Sequence, residues 1–325
     1  AVLEGDITTN TTLELGKFYL LKGNVYVKNG ATLTIPAGIT IRGDKATKGT
    51  LIITRGSKIE AKGEFTKPIV FTSNQDAGER DYGDWGGLII LGKATMNATG
   101  GVGTIEGGVN NSDKDGEYGG TDDADNSGTL SYVRVEFPGI AFQPNNEING
   151  VTLGGVGSGT TIDHLQVSYS GDDAIEWFGG AVNCKYLVTY RTYDDDYDCD
   201  AGYHGNVQFG FTLRDPKQAD QSGSNGFEVD NDGSGSTNEP RTSPTFSNIT
   251  LIGPNALSSS INSNYKRAVH HRRSSKLSIL NSVLVGYPIG WRLDGAGTYT
   301  NVSDGRSEFK NNIFACNGKT WDTTG

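Results

Sequence analysis

The residues of this chain best suited to chemistry fall in two acidic stretches twenty-two positions apart. Gly171-Asp172-Asp173-Ala174-Ile175-Glu176-Trp177 reappears as Tyr193-Asp194-Asp195-Asp196-Tyr197-Asp198-Cys199, and more faintly as Ser224-Asn225-Gly226-Phe227-Glu228-Val229. Carboxylates so clustered can do one of three things. Asp172, Asp173, Asp194, Asp195 and Asp196 could supply the flexible hard-oxygen ligands that calcium prefers. A carboxylate pair could act as acid and base in glycoside hydrolysis, or a neighbouring histidine or arginine could help abstract a sugar proton beside a carboxylate. The third possibility is a solvated polar face on which arginine and histidine close a ladder of salt bridges.

A repeat of this length built from strand-like residues predicts a solenoid in which each copy is one coil. Aligning the copies puts Ala141, Glu176, Asp198, Glu228, His270 and Arg292 in one column. Two residues on, the next column holds Phe178, Asp200, Asp230, Arg272 and Asp294. Side chains alternate along a strand, so both columns face away from the core when Ile175, Tyr197, Phe227, Val269 and Trp291 face inward. Coils lie about 4.8 Å apart. Like charges at that spacing are tolerable in bulk water and repel by several kcal/mol when shielded. Shielding would call for a cation, a proton, or the nearby His270 and Arg272. Glu176, Asp198, Glu228, His270, Arg272 and Arg292 are therefore the candidate catalytic residues. Tyr193, Tyr203 and His204 are candidate sugar-binding residues, although a lone histidine more often has a hydrogen-bonded structural role.

Other segments must position these residues. Residues 1–95 alternate with period two, as in Ala31-Thr32-Leu33-Thr34-Ile35 and Leu88-Ile89-Ile90-Leu91. From Thr129 onward a second template recurs: apolar, any, polar, apolar, any, apolar. It begins at Leu130, Ile162, Cys184, Phe246 and Leu280. The stretches 97–127 and 217–241 are rich in Gly, Asn and Asp and read as long loops leaving the coils. The expected fold is one all-β domain over residues 1–325, a right-handed parallel β-helix with long inserted loops.

Among the 325 residues, 47 are glycine and 9 are proline, which suits many turns and few helices. The net charge of −10 argues against a nucleic-acid partner, which would need a basic field. It is compatible with glycans, cations or a basic protein partner. No apolar run approaches the roughly 18 residues of a membrane span. Cys184 and Cys199 are either a disulfide or two small buried residues; Cys316 completes the set.

Gly30-Ala31-Thr32-Leu33-Thr34-Ile35, Leu51-Ile52-Ile53-Thr54-Arg55-Gly56, Pro68-Ile69-Val70-Phe71 and Gly83-Asp84-Trp85-Gly86-Gly87 follow one another in this order, and then comes Asp172-Asp173-Ala174-Ile175-Glu176-Trp177. Together they resemble a family of exported parallel β-helix proteins of Bacteroidetes and marine proteobacteria. Its members are often surface lipoproteins that carry the label "multidrug transporter". The resemblance covers nearly the whole chain. It implies the fold and a secreted or outer-membrane-surface location, with a lipid anchor conceivable upstream of Ala1. It implies no reaction. Gly171-Asp172-Asp173 is also similar to the paired-aspartate motif of pectin-degrading β-helices. The companion motifs are missing, with Phe137-Pro138-Gly139-Ile140 one coil earlier and only Tyr203-His204-Gly205 one coil later. The expected function is polysaccharide binding on the acidic face, with calcium as the candidate cofactor. The alternatives are a lyase or hydrolase using the ladder, and an adhesive surface protein with a protein partner and no catalytic site.

Overall fold

The computed structural model describes residues 1–143, 146–315 and 317–324. One parallel sheet system of 25 strands winds along nearly all of them. Each full coil has three faces. The first and second are the two halves of one bent strand, such as Gly128–Glu136, Thr161–Ser168, Cys184–Tyr190, Asn206–Leu213 and Thr245–Ile252. The bend comes from a single residue with positive φ, for example Tyr132 at 50° or Asn248 at 60°. The third face is a separate short strand, and it stacks Val151–Gly154, Ile175–Phe178, Tyr197–Asp200, Asn225–Val229, Arg267–His271 and Ile289–Asp294 in register. This is the expected parallel β-helix.

Stacking hydrogen-bonds each backbone to the coil above and below and turns alternate side chains into one continuous column. Leu51, Leu88, Val151, Ile175, Tyr197, Phe227 and Val269 line the third face from inside, each almost fully buried. Trp177 stacks on Tyr203 at 5.4 Å, and Tyr197 lies 5.0 Å from Phe227. Tyr203 is therefore a core residue whose hydroxyl donates to Val182 O at 2.9 Å, and it cannot meet a sugar. Cys184 and Cys199 are also buried in the core, and both are free thiols. Burial pushes the Cys184 thiol up to about 12. Of the two open readings, the small buried residue holds; Cys316 lies outside the described residues.

Three parts of the expected organisation need correction. The coil at Phe246 continues at Ile279, not Leu280, and a coil beginning at Val207 lies between those of Cys184 and Phe246. The interval 217–241 is not one loop, because Asn225–Val229 is a rung of the third face with a polar insertion on either side. The stretch 97–127 leaves the coils but returns to lie on them. Tyr26, Ile52 and Ile89 point outward from the third face of the early coils, and they are buried beneath Met96, Ile105, Val109 and Tyr118. Lys28 to Asp113 (3.0 Å) and Asp115 (2.5 Å), and Arg55 to Glu117 (3.2 Å), pin this canopy at its edges. The outward side chains of the third face are thus apolar where the canopy covers them and acidic where it ends.

Candidate functional site: an acidic cleft on the third face

Strand pairing aligns Thr152, Glu176, Asp198, Glu228, His270, Arg292 and Asp322 rung by rung. The five residues from Glu176 to Arg292 fall in the expected column, across the insertions. Ala141 does not: it sits in a small antiparallel hairpin with Glu147, and Thr152 takes the place above Glu176. Asp200, Asp230, Arg272 and Asp294 form the second column beside them. The turns that enter this face carry the remaining aspartates. They stack closely because small residues allow it: a Cβ at Gly171 would lie 2.6 Å from Gly139 O.

The carboxylates form overlapping groups. Oxygens of Asp172, Asp173 and Asp194 lie within 4.8 Å of one another, as do those of Asp173, Glu176 and Asp198, and those of Asp195, Asp198 and Glu228. The face is not freely solvated, since Asp173, Glu176 and Asp195 are all under 9% exposed. Burial, and then the neighbouring carboxylates, push Asp172, Asp173, Glu176 and Asp198 well above the usual carboxylate range. Asp195 is raised for the same reasons, against hydrogen bonds from Asn225. Asp194 is raised to about 7 by burial and Asp220, and Asp200 to about 7 by burial and Asp230.

The lower end of the cleft is different. His270 sits between two carboxylates, with Nδ1 3.1 Å from Glu228 and Nε2 3.3 Å from Asp294. Arg272 donates to Glu228 and, at 2.7 Å, to Asp230; Arg273 donates to the other Asp230 oxygen at 2.7 Å. Burial raises the Glu228 carboxyl, but His270 and Arg272 outweigh it and the net direction is down. Arg292 pairs with Asp322 at 2.9 Å and Asp294 at 3.4 Å. The cleft is therefore polarised, with uncompensated acid above Glu228 and closed ion pairs from Glu228 downward.

Besides Tyr203, two more expected site residues lie elsewhere. Asp196 is turned inward, fully buried, and paired with Arg214 at 3.2 Å, so it is not available as a ligand in the cleft. His204 is held in the turn by Gly202 O at 2.8 Å and faces Asp123 at 3.5 Å, which supports the structural role. Tyr193 is half-buried at the rim beside Tyr82, 6.0 Å between rings, and Tyr82 in turn contacts Tyr169 at 5.7 Å. An aromatic border therefore runs along the turn side of the acid.

Other residues of the site escape the sequence pattern. Glu106, from the canopy, reaches Asn149 Nδ2 at 3.1 Å, and the same amide donates to Glu176. Asn225 donates to Asp195 and Glu228 at 3.2 Å each. Both asparagines are almost fully buried, and among the described residues each side-chain oxygen is without a hydrogen-bond partner. Asn225 is visible in the sequence as the start of the third acidic repeat. Nothing in the sequence around Asn149 signals its place.

A coiled parallel sheet with a polar cleft on one outer face defines the class, a parallel β-helix with a site on its outer surface. Residues 5–324 match the family model described as a pectate-lyase like beta helix domain, and the chain belongs to that family. No curated protein and no solved structure is similar enough to match. Among the described residues, no helix is long and apolar enough to cross a membrane.

Proposed function

We propose that this protein holds a divalent cation, calcium by its donor set, in the acidic cleft and binds an acidic polysaccharide there, outside the cell or at its surface. One observation carries the reading: Asp172, Asp173, Glu176 and Asp198 are crowded so that every leading influence on them disfavours the charged form. Such a stack needs protons or a metal. The amides of Asn149 and Asn225 border these carboxylates, and their side-chain oxygens, without a partner among the described residues, are neutral hard donors of the kind calcium accepts. Burying an amide oxygen without a partner is costly, so these two oxygens fit a ligand better than an empty wall. The cation would offer its outer positions to sugar carboxylates, with Tyr193 and Tyr82 along the rim.

Calorimetric titration with calcium tests this. Asp195→Asn together with Asp198→Asn should weaken binding by about tenfold or more, since each 1.4 kcal/mol of lost interaction is a factor of ten. Wild type should bind polygalacturonate with calcium and lose it in chelator. No calcium heat and no thermal stabilisation by calcium would sink the proposal.

A lyase or hydrolase remains the second reading, favoured by His270 at the lower end of the cleft. It predicts release of unsaturated or reducing ends, abolished in Asp198→Ala with the fold intact. Two features weigh toward binding: His270 is held by two carboxylates, and Arg272 is locked on Glu228 and Asp230.

A further inference from the structure

A second surface lies at the bend between the first and second faces. Tyr132, His164, Tyr186 and Phe209 occupy the bend residue of four successive coils, with φ of 50°, 46°, 56° and 63°. In the next coils the same corner is asparagine: Asn248, Asn281 and Asn311, at 60°, 52° and 57°. Asparagine tolerates this left-handed conformation, whereas bulky aromatic residues are strained in it. Four coils nevertheless carry rings there. They form one outer stack with centroid separations of 4.2, 4.5 and 5.1 Å and interplanar angles of 11°, 22° and 11°. Stacking offsets part of the strain but leaves Tyr186 45% and Phe209 39% exposed.

The stack is one wall of a groove of about 600 Å³, within the roughly 300–1,000 Å³ typical of small-ligand sites. Beside it runs a second outward row in register, Arg134, Gln166, Val188 and Phe211. Phe211 is 40% exposed. At the upper end the small hairpin closed by Glu64 and Lys67 holds Phe65 over the groove, 85% exposed. The polar members are engaged rather than free: Arg134 is met by Glu136 at 3.1 Å, and His164 Nδ1 lies 2.9 Å from Asp163. The lining is thus aromatic surface interrupted by amides and by an arginine already paired with a carboxylate.

We infer that this groove binds an uncharged linear glycan lying along the helix axis, with successive sugars meeting successive rungs. One coil advances by about 4.8 Å, close to the rise of one pyranose in an extended chain. A sugar ring presents C–H faces to aromatic surface and hydroxyls to amides, which is the mixture this groove offers. The site is on a different face from the acidic cleft and does not depend on the cation reading.

The experiment is calorimetric titration in chelator with cellohexaose, xylohexaose and mannohexaose. Wild type should bind at least one of the three. Tyr186→Ala with Phe209→Ala should weaken that binding by about tenfold or more. Phe65→Ala, at an exposed hairpin tip, should also weaken it with the melting temperature unchanged, and calcium binding should be unchanged in both variants. Binding of none of the three would overturn the inference, as would variants that bind like wild type. So would a wild-type dimer in light scattering that these variants convert to monomer, because the groove would then be a self-interface. Loss of calcium binding in the cleft variants leaves this result untouched, so the two sites fail or stand separately.

Discussion

In chelator the protein should melt at a lower temperature at pH 8 than at pH 5, and saturating calcium should remove most of the difference. Asp194 and Asp200 have an ordinary pKa of 3.8 and are raised to about 7 in the folded protein. Between these values the folded chain holds protons that the unfolded chain has released, so the stability linked to them falls as pH rises from about 4 to 7. Asp172, Asp173, Glu176, Asp195 and Asp198 move in the same direction. Two kinds of group work the other way: Glu228 and Asp294, moved downward, reach their full contribution by about pH 6, and buried His271, lowered to about 4, gains stability only up to its ordinary value of 6.5, so the acidic stack outweighs them at the upper end of the range. Each tenfold gain in proton affinity on folding corresponds to about 1.4 kcal/mol. Solvent screening at half-buried positions cuts the sum, leaving an expected loss of a few kcal/mol and a drop of about 5 °C or more. A cation at one hundred times its Kd restores about 2.7 kcal/mol at pH 8. Asp194→Asn should flatten the profile. A melting temperature in chelator that is constant or rises from pH 5 to pH 8 would be incompatible with a crowded, uncompensated cleft.

Arg214→Ala should cost about 3–5 kcal/mol of unfolding free energy, the scale for stripping one partner from a buried ion pair. The Arg214 side chain is fully buried, 3.2 Å from Asp196, with its guanidinium 5.1 Å from the centre of the Tyr265 ring. Asp196 accepts from Thr192 at 3.0 Å, and the Tyr287 hydroxyl approaches it at 3.5 Å. Without the arginine, the carboxylate would remain dry with hydroxyls, those of Thr189, Thr192 and Tyr287, in place of a cation. The double variant Arg214→Met, Asp196→Leu should recover most of the loss, because well-packed apolar replacement of a buried pair is often nearly neutral. Denaturant unfolding measures both. A single variant within about 1 kcal/mol of wild type would mean that the pair is not buried as described, and Asp196 would return as a ligand candidate.

Much of the cleft is legible in the sequence. Glu176, Asp198, Glu228, His270 and Arg292 align because strand alternation has period two and parallel coils stack in register, so an insertion between rungs leaves the column intact. The turns carry no such rule. In Asp194-Asp195-Asp196 the direction of each side chain depends on local backbone angles, and the third swings into the core to meet an arginine that no nearby pattern announces. Tyr203 reads as a platform for the same reason and is a core ring against Trp177.

The outer aromatic stack is hidden by the bend itself. One left-handed residue places two successive side chains outside, so Tyr132, Tyr186 and Phe209 break the alternation that would have shown them as a row. The canopy lies further still from the reach of sequence. That residues 97–127 form a long polar excursion is plain from composition, and so is the apolar character of Tyr26, Ile52 and Ile89. Their meeting is not, because contacts between distant segments depend on where the loop's few apolar side chains can be buried in three dimensions. Order along the coils is a local, repetitive property that the residues alone establish. Which part of the third face stays open follows from that loop closing over the early coils, and which acids lose water follows from Glu106 of the loop and from Ser222 and Asn225 further along the chain.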